Sequence, residues 1–182
     1  MSTESSIPER VLGWWADFKH GGPREDAGAF ARLRRSEDAL DALIEPVAVD
    51  LVKRVGLRDE ERICVVAELA SLLAHVREND SASVARSLRG PKFDQPVMTP
   101  IRFQRLLQAE AGAARLTAFR RAVAQLGGRA NVKDLVRAYL DLDHPKFGRS
   151  LRVRWLLAYA DEAAGSDAEP EPASNDHTEN AA

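Results

Sequence analysis

Residues 99–128, TPIRFQRLLQAEAGAARLTAFRRAVAQLGG, decide how the rest of the chain is read. Thr99 suits a helix cap, and Pro100 suits the first helical position, where its fixed φ and missing N–H cost nothing. Phe103, Leu106 and Leu107 then recur at helical spacing, as do Leu116, Phe119, Val123 and Leu126 further on. Gly127-Gly128 stops the second run. The stretch therefore predicts a helical hairpin. Its apolar seams leave over Arg102, Arg105, Arg115, Arg120 and Arg121 against one carboxylate, Glu110, so a basic outer surface is expected.

The same punctuation continues upstream. Ser6 and Glu9 stand at capping-box spacing before Val11, Trp14, Trp15 and Phe18, and Gly21-Gly22-Pro23 marks a stop. The paired tryptophans invite a base-stacking role, but an amphipathic helix needs a large apolar anchor and they supply it. Residues 24–35 predict a short helix with Phe30 and Leu33 inward. Arg32, Arg34 and Arg35 crowd its end, where the macrodipole favours cations. Pro46 should break the helix over 38–56 after Ile44, because it removes a hydrogen bond and clashes with the preceding turn. Asp59 caps the main core helix, 60–77, with the stripe Ile63, Val66, Ala67, Ala70, Leu73 and Ala74. His75 has no partner at ligand spacing and reads as a surface or satisfied histidine.

After a short helix at 83–88, Gly90-Pro91 opens an aperiodic linker to Pro100. Downstream of the hairpin, Asn131 caps a helix carrying Leu135, Val136, Tyr139 and Leu140. Arg149 begins the last one, with Leu151, Trp155, Ala158 and Tyr159 inward. No alternating β-branched run appears. The expectation is an all-α fold of eight or nine short helices in two subdomains, 1–90 and 91–165. An acidic, disordered tail, 166–182, should follow.

The formal net charge of −2 over 182 residues hides an asymmetry. Residues 91–156 hold 13 Lys and Arg against 5 Asp and Glu, and only Lys92, Lys133 and Lys146 of those cations are lysines. Arginine offers a planar fork of donors suited to phosphate oxygens, so nucleic acid stays open despite an acidic overall balance. The lone Cys64 excludes an internal disulfide and reads as a small core residue. With no apolar run of membrane-spanning length and no secretory signal read at the N-terminus, the cytoplasm is the default compartment.

Enzyme signatures are missing: no phosphate loop, zincin helix, nucleophile elbow or dinucleotide fingerprint. No catalytic residue, cofactor or metal is expected. Asp141-Leu142-Asp143-His144 is a weak candidate for a cation loop, since one loop rarely supplies a whole site and His20, His75 and His144 lie on separate segments. Residues 113–141 could make a helix-turn-helix, but the second helix offers only Lys133 and Arg137 once Asn131 is used as a cap. A helical adaptor whose basic face docks an acidic protein is the other open reading.

Six motifs in order carry a resemblance: Trp14-Trp15, Leu33-Arg34-Arg35, Leu73-Ala74-His75, the run from Arg102 to Leu107, Phe119-Arg120-Arg121, and Val153-Arg154-Trp155. Together, over about residues 9–162, they resemble the CasB family, the small subunit of the type I-E CRISPR surveillance complex Cascade. Relatives commonly carry a tryptophan in the loop where this chain has His144 and Phe147.

The resemblance implies an all-helical, non-catalytic subunit of an antiviral complex, present in two copies head to tail and in contact with other Cascade subunits. It would hold crRNA, target DNA (single- or double-stranded) and the displaced strand without reading sequence, in the cytoplasm and away from membranes. The matching positions single out Arg102, Arg120 and Arg121 for backbone contacts, followed by Arg34, Arg35, Arg105, Arg149 and Arg152.

Overall fold

The computed structural model describes residues 6–19, 27–92 and 94–161. The expected stop at Gly21-Gly22-Pro23, His20 and the acidic tail 166–182 lie outside them. Ten helices are present among the described residues: α1 (Ile7–Lys19), α2 (Ala27–Arg35), α3 (Ala39–Leu43), α4 (Pro46–Val55), α5 (Glu60–Leu73), α6 (Val84–Arg89), α7 (Pro100–Leu107), α8 (Ala113–Gln125), α9 (Val132–Asp141) and α10 (Gly148–Ala160). The all-α class holds, with more helices than the eight or nine expected. Pro46 does divide 38–56, standing at the start of α4 after Asp38 has capped α3.

α5 is the centre. Its side chains from Val66 to Leu73 are all buried, including Glu68 and Ser71. Each fully buried leucine there contributes about 1.5–3 kcal/mol by leaving water. Asp59 caps its start by accepting from the Arg62 N–H at 3.1 Å. Helices α2, α3 and α4 pack on it, as do α8 and α9, while α1 lies against α4 and α9, and α6 against α10. One hydrophobic cluster therefore holds side chains from both sides of the Gly90-Pro91 linker.

The tryptophans are anchors. Trp14 and Trp15 are buried, and their indole N–H groups donate to Val47 O at 3.2 Å and Val76 O at 3.3 Å, so neither ring faces outward to stack on a base.

α5 stops at Leu73, four residues short of the expected Arg77. The chain turns there because a two-residue parallel ladder forms: β1 (Glu78–Asn79) with β2 (Arg129–Ala130). Gly127 and Gly128, at φ 64° and 83°, turn the chain after α8, and Gly128 O accepts from the N–H groups of Arg77 and Glu78. A Cβ on Gly128 would meet His75 O at 3.2 Å, so glycine is needed for the close approach as well as for the turn. Two residues are too few to leave an alternating pattern.

Two hairpin details depart from expectation. Thr99 occupies the cap position of α7 without a side-chain hydrogen bond, so Pro100 alone marks that start. Arg115 is only 4% exposed and belongs to the inside of α8, not to its basic outside. It precedes Phe119 by four residues and so shares the buried seam.

Candidate nucleic-acid interface

The candidate arginines fall into two neighbourhoods. The first is where α2, α5 and α8 meet. The last carbonyls of a helix lack intrahelical donors, and α2 ends with two such groups satisfied from other helices. Ser71 Oγ donates to Leu33 O at 2.7 Å, and Arg120 Nη2 donates to Ser36 O at 2.5 Å and to Ser71 Oγ. Arg120 is half-buried, its Nε buried without a partner, and desolvation pushes its pKa down.

Beside it, Arg34 Nε donates to Ala74 O at 2.6 Å. Both cations act on His75. Burial first, then the charges of Arg120 and Arg34, hold its pKa below the ordinary histidine value. Its Nε2 is buried with no hydrogen bond among the described residues, while a hydrogen bond with the Arg34 backbone acts in the opposite sense on its pKa, so the half-buried ring is satisfied only in part. Arg35 and Arg121, next in sequence to Arg34 and Arg120, are exposed.

The second neighbourhood is the face shared by α7 and α10. Phe103 lies stacked on Tyr159 with centroids 4.1 Å apart, and the Tyr159 hydroxyl donates to Met98 O at 2.5 Å. Arg152 Nε donates to Leu107 O at 3.2 Å, which pairs the end of α7 with the start of α10, as Phe103 pairs with Tyr159 near the end of α10, so the two helices run antiparallel with a groove between them. Arg152 also reaches Asp143 at 3.3 Å, and the same carboxylate takes the buried Arg115. Asp143 is thus committed to two arginines. His144 Nδ1 accepts the N–H groups of Lys146 and Phe147 and its ring stacks on Phe147, which gives both residues of that loop a structural role.

Of the eight candidates, Arg34, Arg120 and Arg152 have guanidinium groups bonded to the protein itself, Arg34 by its Nε alone. Arg35, Arg102, Arg105, Arg121 and Arg149 are exposed and make no hydrogen bond or ion pair among the described residues. Arg102 has no carboxylate partner among the described residues, while Arg154 stands 3.9 Å from Asp134. Arg58 and Arg62 are exposed too, but Asp59, Glu60 and Glu61 surround them in sequence. Lack of a partner marks a phosphate hand only where carboxylates are also scarce.

Ser71 beside Arg120, and Gln104 and Gln108 along the groove, were not singled out by pattern, while Asp143, considered only for a cation loop, instead pairs with Arg115 and Arg152. A signal existed for Ser71, which with Glu68 is one of two polar residues in the apolar run of α5. The helix-turn-helix alternative meets an obstacle in α9, whose Val132, Leu135, Val136, Ala138 and Tyr139 are buried and whose Lys133 pairs with Glu9 at 2.8 Å. Asn131 is used as the cap, accepting from the Asp134 N–H. No described helix is long and apolar enough to cross a membrane.

The fold is similar to that of a chain in the crystal structure of E. coli Cascade bound to a PAM-containing dsDNA target, with a TM-score of 0.58 over 82% of this chain and 95% of that one. At 15% identity the likeness speaks for the fold. No curated protein matches the chain. The family model of CRISPR-associated protein Cse2 matches residues 29–159, well over half of the sequence, and the chain belongs to that family, also called CasB, a non-catalytic subunit of type I-E Cascade.

Proposed function

We propose that this subunit stabilises the R-loop of Cascade, holding crRNA, target DNA and the displaced strand through sequence-independent contacts to their backbones. One observation carries the reading: Arg102, Arg105, Arg121 and Arg149 stand exposed and unpaired in the carboxylate-poor part of the chain, with Arg35 beside them in kind. In RNA-guided recognition base pairing reads the sequence, and exchanging the DNA duplex for the heteroduplex is nearly balanced in energy. A few phosphate contacts on the open state are then enough to tip it. Arginines serve because they bind phosphate with a fork and stack on unpaired bases.

The exposed apolar side chains Leu40, Ile44, Val153 and Leu157 suit contacts with other Cascade subunits, including a second copy placed head to tail in the cytoplasmic complex. The test is salt-dependent binding of single-stranded DNA by Arg105→Ala, Arg121→Ala and Arg149→Ala proteins. Removing one cation that neutralises a phosphate should flatten the log–log salt slope by about 0.7. Unchanged slopes in all three would overturn the reading in favour of an adaptor docking an acidic protein.

A further inference from the structure

The groove between α7 and α10 is not explained by phosphate contacts. It encloses about 340 Å³, near the lower end of the roughly 300–1,000 Å³ range of small-ligand sites. Its apolar walls come from Phe103, Leu107, Leu156 and Tyr159, and its polar groups are Gln104, Gln108 and Arg152, with no carboxylate. Leu156 is 48% exposed there, so an apolar surface is left in water where a further turn of packing would have covered it.

We propose that this groove seats one unstacked nucleobase of the strand held by the neighbouring arginines, an inference that rests on the function proposed above and names what that function leaves out. Chemical complementarity carries it. A single strand presents apolar, π-faced rings joined by anions. The groove presents an apolar slot with cations on its banks. Arg149, Arg152 and Leu156 follow at i, i+3 and i+7, so the unpaired Arg149 stands on the same strip of α10 as the groove wall. On α7, Arg105 lies three residues before Gln108, beside the opposite wall. The antiparallel packing brings the start of α10 to the end of α7, where both cations sit.

Arg152 is held in place by Leu107 O and Asp143, which fixes its guanidinium plane at the rim for stacking on an inserted ring. Gln104 and Gln108 each carry one acceptor and two donors and so meet the edge of any of the four bases. The slot is therefore selective for a base over a bare phosphate, and tolerant of which base it is.

The experiment compares two oligonucleotides of equal length bound by the full chain: ordinary single-stranded DNA, and a fully abasic strand with the same number of phosphates. A base seated on a protein surface contributes enough to weaken the abasic strand about five- to hundredfold. Gln104→Trp, a change at an exposed position, fills the slot. It should abolish the preference while keeping the salt slope, since no charge is altered, and Gln108→Trp is the second variant. Equal affinity of the parent protein for both strands would overturn the proposal, as would a full preference retained in both filled variants. If the filled variants lose only assembly with Cascade subunits and keep their discrimination between strands, the occupant is a protein segment and the proposal is wrong. Absence of any salt-dependent binding by the parent would overturn the underlying function, a result distinct from binding that ignores bases.

Discussion

The junction of α2, α5 and α8 and the face of α7 and α10 treat arginine differently. At the junction Arg120 and Arg34 spend their donors on Ser36 O, Ser71 and Ala74 O, with no carboxylate among these partners. Those bonds tie the end of α2 to the core while the positive charge remains. At the α7–α10 face a single acid, Asp143, is shared by the buried Arg115 and the half-buried Arg152. There the charge is offset only in part and shape is added to it: a groove, with Arg105 and Arg149 unpaired on its banks. One residue type supplies cross-braces in one place and a wall in the other. Counting arginines along the chain overstates how many are available to a ligand.

The comparison breaks most easily at Arg115. Truncation to Ala removes bonds to Ala109 O and Asp143 from a residue 4% exposed. Breaking a fully buried pair costs about 3–5 kcal/mol, and the half-exposed Asp143 can turn to water or to Arg152, so a loss of about 3 kcal/mol is expected in chemical denaturation. Arg120→Ala should cost less, about 2 kcal/mol, since its bonds go to neutral oxygens. If Arg120→Ala were the more damaging of the two, the junction rather than the acid-balanced face would be the stiffer region.

The junction has a pH signature of its own, set by a half-buried histidine. His75 has a folded-state pKa below its ordinary value, so between the two values the unfolded chain binds the extra proton. Stability should fall as pH drops below the ordinary histidine range, levelling off beneath the folded-state value. His75→Gln should remove that part of the slope. The buried Glu68, raised by desolvation and bonded to the Tyr139 hydroxyl, acts in the opposite sense, stabilising at low pH and less so as pH rises through its folded value. The difference between His75→Gln and the parent isolates the histidine. Equal urea midpoints for the two proteins across pH 5–8 would remove the cationic crowding inferred around it.

Much of the fold was legible because its signals are local. Pro46, the Asp59 and Asn131 caps and the Gly127-Gly128 stop each act within a turn or two of chain. The two-residue ladder was not legible, being shorter than the period that reveals a strand. Nor was the division of the arginines. Arg115 could be suspected from its spacing to Phe119, but its partner Asp143 lies 28 residues away, and Arg120 meets a carbonyl 84 residues away. The order of motifs gave the family; the direction of each guanidinium depends on which helices cross. The groove required knowing that α7 and α10 lie side by side.

The smallest expected change in stability is the sharpest test, because it uses adjacent residues. Arg120 and Arg121 share a helix, a charge and a motif, and differ in that one is turned into the core and the other into solvent. Arg121→Ala should change unfolding free energy by less than about 0.5 kcal/mol, as surface substitutions do. It should nevertheless take about 0.7 from the single-strand salt slope. Arg120→Ala should do the reverse at first order, losing stability with little change in slope, because the half-buried guanidinium is held on Ser36 O and Ser71 by its Nη2 and its Nε is buried away from any phosphate. Should Arg120→Ala flatten the slope as much as Arg121→Ala does, the buried Nε of Arg120 must become accessible when nucleic acid binds, and the junction would then belong to the interface rather than support it.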